Sequence, residues 1–241
     1  MPDIFIGCSG FHYGHWEGNF YPKGLPKSKW LEFYSKNFST VELNVTFYRL
    51  PTANTFLDWY KKTPHPFTFS VKGSRFITHI KRLIEPSEPL RAFMERAMAL
   101  KEKLGVILWQ FPSTFKADIE RLKKFLTDLR HYGLRNAFEF RNETWINREV
   151  ISLFEKEGVS LCMADWPPFL KELPITADFL YIRRHGEGGS YATCYSDDEL
   201  KKDALRIKKY LKQSKDVFIY FNNDAFGYAP KNALRLRELI K

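Results

Sequence analysis

The amino-acid sequence predicts an α/β fold, a single closed (β/α)8 barrel that spans residues 1–241. Eight short strand-like runs recur along the chain, amphipathic helical segments separate most of them, and the connections are long after strands but short after helices. Strands that alternate with helices run parallel, because a parallel connection needs a crossover. Eight such units in about 250 residues fit a closed barrel better than an open doubly wound sheet. A G-x-G-x-x-G pattern, which would indicate a dinucleotide cofactor, does not follow the first strand.

Short apolar runs and period-two alternation locate the strands. The second run is the most informative, because three aliphatic residues alternate there with a carboxylate, an amide and a hydroxyl group. Such a strand has one apolar and one polar face. The predicted strands are Asp3–Cys8, Thr40–Thr46, Pro66–Lys72, Gly105–Gln110, Asn136–Arg141, Val159–Ala164, Phe179–Arg183 and Val217–Phe221.

Apolar residues at three- and four-residue spacing locate helices between the strands. Clear examples lie within residues 90–104, 119–129 and 200–211. Ser196 and Glu199 precede the last of these as a capping box, in which each side chain accepts a hydrogen bond from a free backbone N–H group. Three prolines in Trp166–Asp178 leave room for only a shortened sixth helix.

The loops orient the barrel. Helix-to-strand connections are short and marked by glycine, whereas the strand-to-helix connections at 10–29, 73–87, 186–195 and 222–229 are long and rich in His, Trp, Tyr and Arg. All strand-to-helix loops of a barrel gather at its C-terminal face, where barrel enzymes place their active sites. The sequence therefore predicts a functional site at that face.

The composition excludes several classes of protein. Hydrophobic residues make up 44% of the chain and aromatic residues 17%, which is incompatible with a disordered chain. No apolar run approaches the ~18 residues of a membrane span, and the N-terminus lacks the pattern of a signal peptide. Cys8, Cys162 and Cys194 are scattered and odd in number, which favours reduced thiols, a cytoplasmic location and no structural zinc. Cys8 and Cys162 lie in apolar runs and are predicted to be buried.

The formal charge of +10 favours anionic partners, such as phosphorylated metabolites or nucleic acid. The alternative is a lysine-rich surface without a specific partner, because the excess of basic residues is not confined to one tract. The charge by itself leaves both interpretations open.

Polar residues lie at or just after the end of every predicted strand. Several pairs are two residues apart and therefore share one face of their strand. If that face points into the barrel, acids, bases and amides converge there, and each charge is costly to bury unless it is paired or bound to a ligand. The alternative is a self-contained network, with Glu42 paired to Lys72 and Glu139 to Arg141. The strand-end residues are Ser9, Glu42, Asn44, Ser70, Lys72, Gln110, Glu139, Arg141, Asp165, Arg183, His185, Asn222, Asn223 and Asp224.

The strand ends and the loops after them form eight segments, CSGFHYGHWEGNFYP, VELNVTFYRLP, FSVKGSRFITH, LWQFP, FEFRNETW, MADWP, YIRRHG and YFNNDAFGYAPKNA. They resemble the signature segments of the YecE-like family, domain of unknown function 72. The resemblance extends from Ile6 to Leu234 with the segments in the family's order. It implies a TIM-barrel fold but no particular activity, and it adds His79 and Trp145 to the candidate residues.

A metal site is one alternative. Three basic strand-end residues are expected nearby and would oppose a cation, so a tightly bound divalent metal is not favoured. If a metal were bound, the arrangement would be similar to that of metal-dependent isomerase and phosphodiesterase or endonuclease barrels. The ligands would be Glu139, Asp165, His185 and Asp224, at the ends of strands five to eight.

Two other mechanisms have less support. Retaining glycosidases need two carboxylates about 5 Å apart, and Glu42 and Glu139 are expected on nearly opposite sides of the barrel. An imine mechanism needs a desolvated lysine with a lowered pKa. Lys72 is the only lysine at a strand end, and acidic neighbours are expected to keep it protonated, which suits an anion clamp better.

The preferred hypothesis is a hydrolase- or isomerase-type enzyme that acts by general acid/base chemistry on an anionic, phosphate- or nucleotide-containing substrate. The candidate catalytic residues are Glu139, His185, Asp165 and Lys72, with Glu139 the first choice for proton transfer. The glycine-rich loop after strand seven is a candidate phosphate site. The predicted substrate-binding residues are Glu42, Asn44, Arg75, His79, Gln110, Arg141, Trp145, Arg183, Asn222, Asn223 and Asp224.

The main alternative is a non-catalytic protein that binds single-stranded nucleic acid or another anionic ligand. Aromatic residues in the segment 11–21, together with Tyr48, Trp145, Trp166 and Tyr191, would stack on bases while Lys and Arg contact phosphates. Aromatic residues in such loops more often cover the core. The sequence does not indicate the substrate, the reaction or the oligomeric state.

Overall fold

Eight parallel strands close into a barrel, as predicted. The computed structural model describes residues 2–241, and in it each strand pairs with its neighbours in sequence while the last pairs with the first. Parallel pairing and strict sequential order identify a (β/α)8 TIM barrel. The strands are β1 (Ile4–Ser9), β2 (Thr40–Leu43), β3 (Thr68–Lys72), β4 (Leu104–Phe111), β5 (Arg135–Phe140), β6 (Ser160–Ala164), β7 (Phe179–Arg184) and β8 (Asp216–Phe221).

Helices connect the strands and surround the barrel. The predicted capping box is confirmed, because Ser196 Oγ accepts from the backbone N–H of Glu199 and the Glu199 carboxylate accepts from that of Ser196. Only the short 3-10 turn Pro168–Leu170 follows β6, which confirms the prediction that the helix after the sixth strand is shortened. The helices are α1 (Trp30–Asn37), α2 (Val45–Tyr48), α3 (Ala53–Lys62), α4 (Ser87–Ala97), α5 (Ile119–Arg130), α6 (Arg148–Glu157), α7 (Asp197–Lys212) and α8 (Tyr228–Ile240).

The second strand is shorter than predicted. It ends at Leu43, and the chain turns at Asn44 into the single helical turn α2. Thr46 Oγ1 donates to the carbonyl oxygen of Lys72 at 2.6 Å, which ties this turn to the end of β3. Val45 is therefore 43% exposed rather than part of an apolar strand face.

The helix before β4 also ends earlier than predicted. α4 stops at Ala97, and a 3-10 segment, Met98–Lys103, leads directly into the strand. Leu104 is the first residue of β4 and is buried there, so its place in the apolar pattern reflects the sheet and not the helix.

The barrel interior is more polar than the apolar floor that is usual for this fold. Apolar side chains such as Val106 and Phe218 fill one level. Above them the hydroxyl group of Tyr220 lies 2.7 Å from Thr40 Oγ1 and 2.8 Å from Ser70 Oγ. These hydrogen bonds allow polar groups to be buried inside the barrel without a large cost.

The first long loop packs onto the core. Trp16 and Tyr21 are fully buried, and the Tyr21 ring stacks on Trp30 with 4.7 Å between ring centroids. Trp16 Nε1 donates to the carbonyl oxygen of Asp224 at 3.0 Å, which joins the loops after β1 and β8. The buried rings of this loop therefore cover the core and are not free to stack on a ligand.

The structure also tests the predictions about membrane spans and about the cysteines. No helix within residues 2–241 is long and apolar enough to cross a membrane. Cys8 and Cys162 are buried free thiols, as predicted, and Cys194 is a partly exposed free thiol. Burial raises the pKa of the Cys8 and Cys162 thiols, which makes them unreactive packing residues.

Candidate active site

Arg183 lies at the centre of the polar cluster at the C-terminal face. Its Nε and Nη2 donate to the two carboxylate oxygens of Glu42 at 3.0 and 2.9 Å, and its Nη1 donates to Glu139 Oε2 at 2.7 Å. All three side chains are fully buried. The shared strand face predicted for these residues therefore points inward, and the barrel is narrow enough for one guanidinium group to join carboxylates from β2 and β5.

The hydrogen-bond network extends from Glu42 towards β1. Ser9 Oγ donates to Glu42 Oε1 and accepts from Asn44 Nδ2 at 2.5 Å. Tyr181 OH donates to the other Glu42 oxygen at 2.8 Å. Tyr181 lies two residues before Arg183 on β7, so the same face rule that identifies Arg183 also identifies this unpredicted member of the network.

On the other side, the network continues from Glu139 to β7 and β8. Arg141 Nε donates to Glu139 Oε1, and Arg141 Nη2 donates to His185 Nε2 at 3.0 Å. His185 Nδ1 lies 3.1 Å from Asn222 Nδ2, an amide whose nitrogen and oxygen exchange places on a flip. Arginine can only donate, so Nε2 is the acceptor and the proton of the neutral ring is on Nδ1. The Asn222 amide oxygen is then the group that suits Nδ1–H.

Glu139 is held as an ionised carboxylate. Burial by itself raises its pKa, but Arg141 and Arg183 together with His185 outweigh burial and place the pKa well below the usual 4.5. A general acid or base at neutral pH needs the opposite environment. Glu139 is therefore a poor choice for the proton-transfer role that the sequence pattern indicates, and its contacts are those of a group that positions Arg141 and Arg183.

His185 is held as a neutral imidazole. Burial lowers its pKa well below 6.5, and Arg183 and Arg141 lower it further, against a smaller opposing effect of Glu139. Its Nε2 lone pair already accepts from Arg141. His185 therefore holds the Arg141 guanidinium in place, and a proton reaches Nε2 only if that contact opens.

Lys72 differs from both sequence expectations. It is not paired with Glu42, because Arg183 occupies that carboxylate. The residue is 8% exposed, and its amine lies 4.2 Å from the centre of the Phe47 ring. Burial and the charge of Arg183 outweigh Glu139 and Glu42 and lower the pKa of Lys72 to about 7. Acidic neighbours therefore support the charge of this lysine less than expected, because those carboxylates already pair with arginines.

Further predicted residues line the rim of the cluster. Gln110 stands beside Glu139 in the register of β4 and β5 and is half-buried, like Asn44 and Asn222. His79 packs edge-on against Phe47, and burial together with Lys72 and Arg75 lowers its pKa to about 4. Arg75 is exposed in the loop after β3.

Four predicted residues are not brought into this cluster. Trp145 is buried against Phe140 with 4.4 Å between ring centroids, and its Nε1 donates to the carbonyl of Phe115. Asn223, in the loop after β8, is buried and donates to the carbonyl oxygen of Thr193 at 2.8 Å and to Asn232 Oδ1 at 2.9 Å, which ties the loop after β7 to α8.

The remaining two are Asp165 and Asp224. Asp165 accepts from the backbone N–H of His185 at 2.8 Å and from the Tyr195 hydroxyl group, so it holds the backbone of the loop after β7. Asp224 faces the loop after β1, where its Oδ2 lies 3.9 Å from His15 Nε2.

The four suggested metal ligands do not form a centre. Glu139 Oε1 and His185 Nε2 are 3.8 Å apart, but Arg141 lies between these two groups and bonds to both. Asp165 and Asp224 are directed to the contacts just described. Within residues 2–241 no group of three or more His, Cys, Asp or Glu side chains is arranged to hold a metal ion.

Comparison with known proteins identifies the family. Residues 5–241 match the family model described as protein of unknown function DUF72. The chain belongs to the DUF72 family. The UPF0759 protein YunF of Bacillus subtilis is 28% identical over 270 residues, which cover 98% of this chain and 94% of that protein.

Solved structures of DUF72 family proteins share this architecture. One from Thermotoga maritima is 30% identical, with a TM-score of 0.86 and 99% of both chains covered. One from Enterococcus faecalis is 24% identical, with a TM-score of 0.82 and coverage of 98% of this chain and 95% of that one. D-psicose 3-epimerase of Clostridium cellulolyticum aligns over 98% of both chains at a TM-score of 0.59 and 11% identity, a likeness of fold alone.

Proposed function

We propose that this DUF72 protein is an enzyme that binds a small anionic substrate at the barrel mouth and transfers a proton through Lys72. The observation that carries the proposal is the position of the Lys72 amine. It is buried at the end of β3 among polar strand-end residues, and no carboxylate of residues 2–241 lies within 4.0 Å of it. A desolvated amine without an ionic partner is the form in which lysine acts as a base near neutral pH.

The balance of charge supports an anionic substrate. Glu42 and Glu139 are matched by Arg183 and Arg141, which leaves the buried network close to neutral. Arg75 and the other basic side chains of the loop after β3 add positive charge outside this network. An anion placed there would find favourable charge without displacing an existing ion pair.

The remaining residues have supporting roles. Arg141 is half-buried at the mouth, and Glu139 and His185 fix its guanidinium group from two sides. A guanidinium held in this way can bind a carboxylate or phosphate group with little loss of side-chain entropy. Gln110 and Asn222 add amide groups beside it. Substrate charge would thus be held by Arg141 while Lys72 exchanges a proton with the substrate.

A variant pair tests the proposal. Purified protein is screened against phosphate esters and nucleotides, and the Lys72→Met variant is compared with Lys81→Met, a lysine of the same loop that is only partly buried. We expect Lys72→Met to lose turnover at least 100-fold, whereas Lys81→Met retains it. Binding of inorganic phosphate, followed by calorimetry, should persist in both variants through Arg141. Unchanged turnover in folded Lys72→Met would refute the assignment.

Single-stranded nucleic acid is a second candidate partner. Tyr48 is 78% exposed, and Phe76, Trp166 and Tyr191 are also exposed in loops at the same end of the barrel. Exposed aromatic rings beside basic side chains suit stacked bases and phosphates. In that case the affinity for oligonucleotides should fall steeply with salt and rise with oligonucleotide length. An affinity for mononucleotides that equals the affinity for oligonucleotides would count against this candidate.

A further inference from the structure

A cavity opens beside the polar cluster. It has a volume of about 480 Å3 and is lined mainly by aromatic and aliphatic groups of the loop after β1 and of the segment from the end of β2 to α3. This size is within the usual range of small-molecule sites. The aromatic wall residues are Phe11, Tyr13, Tyr48 and Trp59.

One polar side chain, that of Asn44, belongs to both the cavity wall and the polar cluster. Its Nδ2 donates a hydrogen bond to Ser9 Oγ, and the Ser9 hydroxyl donates a hydrogen bond to Glu42. Both Glu42 oxygens also accept from Arg183, and because Ser9 donates its own hydrogen to Glu42, the Ser9 hydroxyl has only lone pairs left for Asn44. The direction of this chain of donors fixes the Asn44 amide with its nitrogen on Ser9 and its oxygen away from it.

The Asn44 carbonyl oxygen has no protein partner. Its Oδ1 is buried and accepts no hydrogen bond from any of residues 2–241. A buried acceptor without a donor is unfavourable, and nearly all such groups in proteins are satisfied. Asn44 lines the aromatic cavity but its Oδ1 is covered, so a donor from a ligand there reaches Oδ1 when the Asn44 side chain turns towards the cavity.

We propose that the cavity is a base subsite, which binds a nucleobase bearing an exocyclic amino group. The aromatic walls suit the two faces of a flat ring, and the amino group supplies the donor that Oδ1 lacks. A sugar ring offers a smaller apolar face than a nucleobase, and a purely hydrocarbon ring lacks the donor. Glu42 and Ser9 connect Asn44 to Arg183, so the subsite adjoins the basic mouth.

The base subsite rests on the proposed function for the rest of the ligand. A phosphate attached to the nucleoside would lie at the mouth near Lys72 and Arg141, while the base occupies the aromatic cavity. The substrate class is then an amino-bearing nucleotide, such as an adenine nucleotide. The two parts of the site are testable separately, because base and phosphate can be supplied on different molecules.

Binding of four probes to the intact protein tests the subsite. Quenching of tryptophan fluorescence, to which Trp59 contributes, and calorimetry report the affinities of AMP, adenosine, ribose 5-phosphate and purine riboside, which is adenosine without its amino group. We expect adenosine to bind at least tenfold more tightly than purine riboside, since only adenosine satisfies Oδ1. AMP should bind more tightly than either adenosine or ribose 5-phosphate.

A pair of exposed aromatic residues provides matched variants. Tyr48→Ala removes a wall of the cavity and should weaken adenosine binding about tenfold. Phe226→Ala removes a ring of similar exposure, 68% against 78%, from a loop outside the cavity and should leave binding unchanged. Thermal melting checks that both variants fold, and the comparison of adenosine with purine riboside needs no variant.

The outcomes separate the two proposals. Equal affinity for adenosine and purine riboside overturns the base subsite. Binding of ribose 5-phosphate with no gain from adenine also overturns the subsite and leaves the anion site intact. Binding of adenosine with no gain from the phosphate upholds the subsite and overturns the anion site.

Discussion

Replacing Arg183 by methionine should destabilise the protein by about 3–5 kcal/mol. The side chain is 1% exposed and donates two hydrogen bonds to Glu42 and one to Glu139. Methionine has a similar length and no charge. The variant therefore keeps much of the packing and removes the counter-ion that two buried carboxylates share.

The two carboxylates should not suffer equally. Glu139 retains Arg141, whereas Glu42 retains only the hydroxyl groups of Ser9 and Tyr181. The estimate of 3–5 kcal/mol is the usual cost of leaving one member of a buried ion pair without its partner. Most of it should therefore arise at Glu42. Neutralising that group in Arg183→Met/Glu42→Gln should recover about 2 kcal/mol, a coupling that independent sites would not show.

Urea denaturation followed by circular dichroism and tryptophan fluorescence measures these free energies of unfolding. A loss below ~1 kcal/mol, or a double variant no more stable than the single one, would refute the assignment of Arg183 as the shared counter-ion.

Three further predictions follow from single contacts. Burial lowers the pKa of Lys72 from 10.5 to about 7, so between these pH values the unfolded chain binds more protons than the folded chain. The free energy of unfolding should therefore rise from pH 7 to pH 10.5 in the wild type but much less in Lys72→Met. Urea titrations across this pH range would show the difference. Gly73→Ala should destabilise by about 1–3 kcal/mol, because its Cβ would lie 2.2 Å from Trp109 Cε3, whereas Gly14→Ala should have little effect because nothing lies within 4 Å there, and thermal melts would compare the two. Ser196→Ala should cost about 1 kcal/mol through loss of the capping box, again measured by urea denaturation.

Much of the fold follows from local sequence patterns. The strand-helix alternation, the long loops at one end and the prolines after β6 all report short-range chemistry, and the structure has the barrel that they predict. The boundary errors have a tertiary cause. Val45 continues the alternation of β2, but the bond from Thr46 to the carbonyl oxygen of Lys72 turns the chain there. That contact joins residues 26 apart in sequence and leaves no trace in a local pattern.

The inward face of the strands was predictable as well. Glu139 and Arg141 are two residues apart, as are Tyr181 and Arg183. The strand period alone places each pair on one face of its strand. The buried state of Trp145 and Asn223 was not predictable, because both residues follow strand ends as closely as the cluster residues do. Their side chains point to neighbouring loops and helices whose positions depend on the complete fold.

The sequence by itself determined the barrel, the functional face and most of the polar groups that meet there. Only the tertiary structure decided which charges pair. Arg183 bonds to Glu42 across 141 residues of chain, and this contact removes the acidic partner that Lys72 would otherwise have. Coulomb energy and desolvation depend on distance and burial, which a linear pattern does not contain. The folded environments therefore differ from those the sequence suggests, with Glu139 bound by two arginines and Lys72 buried with no carboxylate of residues 2–241 within 4.0 Å.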